Sequence, residues 1–384
     1  MCGDICPNKA ISFEIDLNDG FWYALIDSNK CTKCGLCYKK CPIVSKENII
    51  QNEKPLACIG VKSKDRERRY YSTSGGFFGE LATDWGNNGG YCVGAEYDSE
   101  NMVFHIVEND IDRIPALSQS KYVQSNTQGI YAEVKKLLLD NHNVMFCGTP
   151  CQVEALNSFL GKGYDNLLTV DFVCCGICSP GVYKKYLEWL EDKYNARIKR
   201  VWFKNKEYGW RRISTRVDFE NGKKYIRIGS CEPYMIAFVK DALSMRECCE
   251  NCRFRGLPHK SDITLADFWG IERVNNSFDD DKGVSALVIN TVNGLKRFKM
   301  VAHRLDYFET SVEEISAGNF TIYESKVFNP KREEFLFAVM NKGFGYAVKK
   351  YSSYRGVKKV RAYLSMIKYD IKRLIIEGNE YEKD

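Results

Sequence analysis

No stretch of the 384 residues approaches the roughly 18 consecutive apolar residues of a membrane-spanning helix, so none is expected. The N-terminus lacks the basic-then-apolar pattern of a secretory leader and opens directly in a cysteine motif. Histidine is scarce. The four, at 105, 142, 259 and 303, have no metal-pair or triad spacing, and each reads as structural or surface. No G-x-G-x-x-G follows a strand, so the usual dinucleotide fold is not indicated, although a flavin can bind in other ways. A G-x-S-x-G nucleophile turn is also missing. The net charge of +6 is too modest to argue for a nucleic-acid partner. There is no low-complexity segment. With 44% hydrophobic and 28% charged residues, the composition is that of an ordinary globular chain long enough for two or more cores.

Cysteine is the outlier, at 17. An odd total in so long a chain does not suit a disulfide scaffold, and a reducing cytoplasm is expected. Residues 31–42, CTKCGLCYKKCP, read C-x2-C-x2-C-x3-C-P. Thiolates this close wrap one compact inorganic centre, and the spacing is that of a 4Fe–4S ferredoxin motif. Zinc sites use more widely spaced pairs. Residues 2–7, CGDICP, repeat the tail of the same motif. Cross-ligation predicts one complete cube on Cys6, Cys31, Cys34 and Cys37. Cys2 and Cys41 would belong to a second cube, whose other two ligands would precede Met1. That cube is expected only if the native chain starts upstream.

Between these motifs, alternating residues around Asn18-Asp19-Gly20 predict a β-hairpin. Residues 1–50 therefore read as a ferredoxin-like module, and the polar residues 46–54 as a linker. From residue 55 strands and helices alternate, as in an α/β layered domain. Two regions are expected, 55–140 and 141–330. A Ser/Gly loop at 72–76 opens a helix near Gly75, a weak phosphate-site signal that suits a plain tight turn equally well. A helix is expected over 233–243. Residues 344–376 read as one basic helix with Val357, Val360, Leu364, Ile367, Ile371 and Leu374 at three-four spacing. It either docks on its own protein or binds a partner helix or an anionic membrane.

Three more cysteine loci follow residue 140. In Cys147-Gly148-Thr149-Pro150-Cys151 a strand gives way to a helix, with Thr149 placed to cap and Pro150 at the first position. Cys151 then sits in the first turn, where the helix N-terminus is expected to acidify it. The others are VCCGICSP and CCENC. Cys151, Cys174, Cys249 and Cys252 are candidate ligands of another 4Fe–4S cluster, with zinc or unligated core thiols as alternatives. Cys58, Cys92 and Cys231 read as buried small residues.

Six ordered segments, STSGG (72–76), SKYVQS (120–125), FCGTPCQVEAL (146–156), TVDFVCCG (169–176), CENCRFRG (249–256) and SDITLADFWG (261–270), resemble the coenzyme F420 hydrogenase/dehydrogenase beta-subunit family. Here they follow a ferredoxin domain. Members are iron–sulfur flavoproteins. In the archaeal hydrogenase, the beta subunit holds FAD and a 4Fe–4S cluster and reduces a deazaflavin, coenzyme F420. Plant and cyanobacterial relatives reduce chlorophyll-type or related substrates, and bacterial ones often accompany polysaccharide-biosynthesis genes. The resemblance strengthens the cluster on Cys151, Cys174, Cys249 and Cys252. It implies an FAD site near Ser74, Gly75, Gly76, Lys121, Gln124, Ser125, Gly148 and Thr149. Lys121 would stabilise the reduced flavin or its phosphate. The implied partners are a ferredoxin-like donor or other redox subunits, and a small organic acceptor. Where the family usually has Cys-His-Gly, this chain has Cys174-Cys175-Gly176, which leaves the histidine's role unfilled.

Overall fold

The computed structural model describes residues 1–44 and 54–354, and in the tail residues 356, 360, 361, 364, 366–368 and 371. Nearly all of the expected 46–54 linker, with Val357 and Leu374 of the terminal stripe, lies outside the described residues.

Strands β1 (Ile11–Ile15) and β2 (Trp22–Ile26) pair antiparallel as the expected hairpin. Short helices, Cys2–Ile5 and Leu36–Lys39, carry the flanking cysteine motifs. The turn is built by Asp16 and Asp19, whose carboxylates accept from Asn18 N–H at 2.7 Å and Phe21 N–H at 2.9 Å.

The body is organised by β3 (Ala57–Ser63), β4 (Tyr91–Tyr97), β5 (Val103–Glu108), β6 (Val144–Cys147), β7 (Leu167–Phe172), β8 (Ile198–Asn205), β9 (Ser214–Phe219), β10 (Lys224–Ile228), β11 (Ile263–Asp267), β12 (Ser285–Ile289) and β13 (Leu305–Thr310). An eight-stranded sheet has the order β13-β3-β12-β11-β7-β6-β4-β5. Its central four strands, β11, β7, β6 and β4, are parallel, and the outer pairings are antiparallel. Runs such as the fully buried Ser285–Ile289 suit a sheet covered on both faces. The sheet takes strands from both sides of residue 140, so the stretches 55–140 and 141–330 share one layer system.

A second core lies beside it. The three-stranded sheet β10-β9-β8 packs with helix Pro180–Tyr194 and helices Arg332–Lys342 and Phe344–Tyr351 around Tyr183, Tyr186 and Tyr234. Two helical expectations change. Only Pro233–Met235 is α-helical, and Ile236–Lys240 widens into a π-helix. The expected 344–376 helix is interrupted after Tyr351, because Asp241 accepts from both Ser352 Oγ and Ser353 N–H at 2.7 Å. That bond captures the chain in an extended conformation and ends the helix.

The hairpin module is bolted to the body. Gly181 N–H donates to Gly20 O at 2.9 Å, Ser179 Oγ to Asp19 O at 2.6 Å, and Gly129 N–H to Asp4 at 2.7 Å.

Candidate functional site: a cysteine-lined cavity

A cavity of about 1320 Å³ opens where the hairpin module, the C-terminal ends of β6 and β7 and the loop after Arg246 meet. Trp22 and Tyr23 of β2 form part of its wall. Such a volume exceeds the roughly 300–1,000 Å³ of ordinary small-ligand sites.

Cys151, Cys174, Cys249 and Cys252 all line this cavity, joined by Cys175 and Cys248. The thiols are close enough to raise one another's pKa: Cys174 feels Cys175, Cys151 and Cys252, and Cys249 feels Cys248 and Cys174. The expected acidification of Cys151 does not hold. Burial pushes it up to about 11, outweighing the Thr149 hydroxyl that lies 3.0 Å from its Sγ. Cys248, hydrogen-bonded by Cys249, is held below the ordinary thiol range. Among the described residues no three of the Cys, His, Asp or Glu groups close on a point as the ligands of one ion would. A cubane instead spreads its ligands over four iron corners, and an all-thiol donor set at one cavity wall suits it. Gly176 N–H already donates to Cys174 Sγ at 3.4 Å, as backbone amides do to cluster thiolates.

In the hairpin module, Cys6 ends helix Cys2–Ile5 and its Sγ accepts Ala10 N–H at 3.3 Å. Cys31, Cys34 and Cys37 lie around Gly35, whose φ of +74° caps helix Leu36–Lys39. Cys2 and Cys41 are electrostatic neighbours and face the same cavity as the second cysteine set.

Of the residues implied as flavin neighbours, Ser74, Gly76, Lys121, Gln124, Ser125, Gly148 and Thr149 line the cavity, and Gly75 lies behind it. The Ser/Gly loop is largely satisfied within the protein. Gly75 N–H donates to Ser285 Oγ at 2.9 Å and Ser74 Oγ to Val284 O at 2.7 Å. Lys206 Nζ binds Ser74 O at 2.5 Å. A phosphate grip by the Ser74 hydroxyl and Gly75 amide is thereby displaced, since both donors are committed to the scaffold. Gly148 N–H is likewise committed to Val170 O at 3.1 Å. Gln124 Oε1 accepts from Trp22 N–H at 3.2 Å and so ties this wall to β2. Lys121 Nζ donates to Ala116 O at 2.8 Å and Ser118 O at 2.7 Å. Burial pushes Lys121 down to about 7, against the pull of Glu96 and Cys147.

Sequence reasoning passed over several wall residues. His259 faces the cavity, with Nδ1 3.0 Å from the buried Asp171 carboxylate. His105 also lines it and stacks on Phe146, and burial pushes its pKa down to about 4. Lys204 pairs with Asp267 beside Trp269; burial opposes its charge, but the carboxylate more than offsets this and raises its pKa. The rim adds Lys240, Arg246 and Lys326, with Arg246 over Tyr23 and Lys326 over Phe320. These pairings join residues far apart in the chain. The one local hint was a histidine seven positions after Cys252.

The thiol motif and the thiol-lined cavity define an iron–sulfur electron-transfer protein. Residues 24–44 match the 4Fe-4S binding domain, and residues 141–314 match the family described as the C terminus of the Coenzyme F420 hydrogenase/dehydrogenase beta subunit. That second match spans somewhat less than half of the chain. Among solved structures, a chain from "Xenon derivatization of the F420-reducing NiFe hydrogenase complex from Methanosarcina barkeri" is 18% identical. The match covers 75% of this chain and 91% of that one, with a TM-score of 0.46. No curated protein matches the chain.

Proposed function

We propose that this protein is an iron–sulfur flavoprotein oxidoreductase. It takes electrons from a ferredoxin-like donor or a neighbouring redox subunit and delivers them to an organic acceptor in the cavity. One observation carries this reading: the second cysteine set and Gln124, Ser125 and Thr149 line a single large cavity, and the hairpin module forms part of its wall. FAD, when bound there, would supply the two-electron chemistry that one-electron clusters lack.

The protein's own part is positional. Cys6, Cys31, Cys34 and Cys37 would hold the entry cluster, and Cys151, Cys174, Cys249 and Cys252 the inner one. The buried wall excludes water. Lys240, Arg246 and Lys326 favour an anionic ligand at the rim. His259, oriented by Asp171, holds or moves a proton at Nε2, the role left open by Cys175. Free thiols suit a reducing, cytoplasmic setting, and a polysaccharide-biosynthesis context is the proposed physiological one.

The family description favours a second reading, an F420-reducing beta subunit within a hydrogenase or dehydrogenase complex. A third, a non-catalytic electron-transfer subunit, predicts clusters without acceptor turnover.

The test is iron, acid-labile sulfide and flavin per chain after anaerobic purification and reconstitution. About eight irons with one FAD supports the proposal. Clusters without flavin favour the electron-transfer subunit, and neither iron nor flavin overturns all three readings.

A further inference from the structure

We infer that the carboxy-terminal helix seats this protein on an anionic bilayer surface. Between residues 349 and 373 the sequence has nine Lys or Arg and a single carboxylate, Asp370. Residues 356, 360, 361, 364, 366–368 and 371 are helical. Met366, 5% exposed, anchors the helix among Tyr208, Ile228 and Cys231, beside β10. The apolar stripe does not follow it inward. Val360, Leu364, Ile367 and Ile371 are 57%, 59%, 39% and 53% exposed, and their spacing of four, three and four places them along one helix face.

Arg361 and Lys368 are exposed, each one position after a stripe residue and hence rotated about 100° from it. An apolar face with cations along its edge is the arrangement of a helix lying in the plane of a membrane interface. The apolar face enters the acyl boundary while the cations meet lipid phosphates. A second copy of this chain suits the face poorly, because pairing two stripes would bring like charges together. Spanning is not implied: among the described residues no helix is long and apolar enough to cross a membrane.

The experiment is co-sedimentation of the full chain with vesicles of phosphatidylcholine alone or mixed with phosphatidylglycerol, at low and high salt. The expected result is binding to the anionic vesicles at least tenfold stronger than to neutral ones, weakened by salt. The double variant Leu364→Glu, Ile371→Glu should lose at least tenfold of that binding. Both residues are exposed and Met366 is untouched, so an unchanged urea midpoint confirms that the variant folds. Equal partitioning with and without anionic lipid overturns the inference. So does a lipid-free dimer that the same variant dissociates, because the stripe would then serve self-association.

Discussion

His259 and Asp171 lie 88 residues apart in the chain and meet inside the protein, Nδ1 to carboxylate at 3.0 Å. Their side chains are only 5% and 1% exposed. Asp171 is near the end of β7, and its carboxylate orients the imidazole at the cavity wall. Removing the carboxylate leaves a buried ring nitrogen without its partner. Asp171→Ala should therefore lower stability by about 1–3 kcal/mol, read as a fall in urea midpoint. Asp171→Asn keeps a polar partner and should cost less. Equal losses in the two variants would show that packing, and not the hydrogen bond, dominates there.

The two cysteine sets make separable predictions about iron. Cys34→Ser should remove about four irons per chain and leave the cavity cluster in place. Cys174→Ser should also remove about four, and the double variant about eight. Cys248 tests the choice among the cavity thiols. If Cys249 is the ligand, Cys248→Ser leaves iron content unchanged. A loss equal to that of Cys174→Ser would transfer the role to Cys248.

Glu232 predicts a pH dependence of stability. It is fully buried, accepts from Tyr186 and Tyr225 hydroxyls at 3.0 Å, and accepts Met235 N–H at 2.7 Å. Burial pushes its pKa up from 4.5 to about 7, with those donors pulling the other way. Below the unfolded value both states hold the proton, and the contribution is complete. As pH rises toward 7 the unfolded chain releases the proton while the folded one keeps it, so stability falls. The loss is on the order of 3 kcal/mol and is complete above pH 7. Unfolding of the Glu232→Gln variant between pH 5 and 8 should lack this slope. Parallel curves for the two proteins would show that Glu232 is ionised throughout.

Features encoded within a few residues were legible in the sequence. The cysteine spacing at 31–41 located the iron–sulfur motif, and Asp19-Gly20 located the hairpin turn. The strand-to-helix step at Thr149-Pro150 is also local, and the helix does start at Pro150. What escaped depends on distant partners. The Asp171–His259 and Lys204–Asp267 pairs join separate strands and loops. The helix break at Ser352 is imposed by Asp241, 111 residues earlier. Cys151 was misjudged electrostatically because local helix geometry favours a thiolate, whereas burial, a tertiary property, disfavours it.

The junction between the hairpin module and the body turns on one glycine. Gly20 has φ +72°, a left-handed conformation that costs an L-residue energy. A Cβ there would lie 2.6 Å from Ser179 Oγ and 2.7 Å from Gly181 Cα. Gly181 lies in the first turn of helix Pro180–Tyr194, so its backbone has little room to yield, and Gly20 O must stay in reach of Gly181 N–H. Gly20→Ala should therefore loosen the module rather than unfold the body. The expected readout is faster proteolysis within residues 1–44 while the fragment from residue 54 onward persists. Trp22, two residues away in β2, lines the cavity, so the same variant should also change its fluorescence. Asn18→Ala, in the same turn but outside this contact, is the control. If both variants are cleaved equally fast, the turn itself is at fault. If Gly20→Ala alone is susceptible, the close backbone approach to Gly181 is what holds the hairpin module against the cavity.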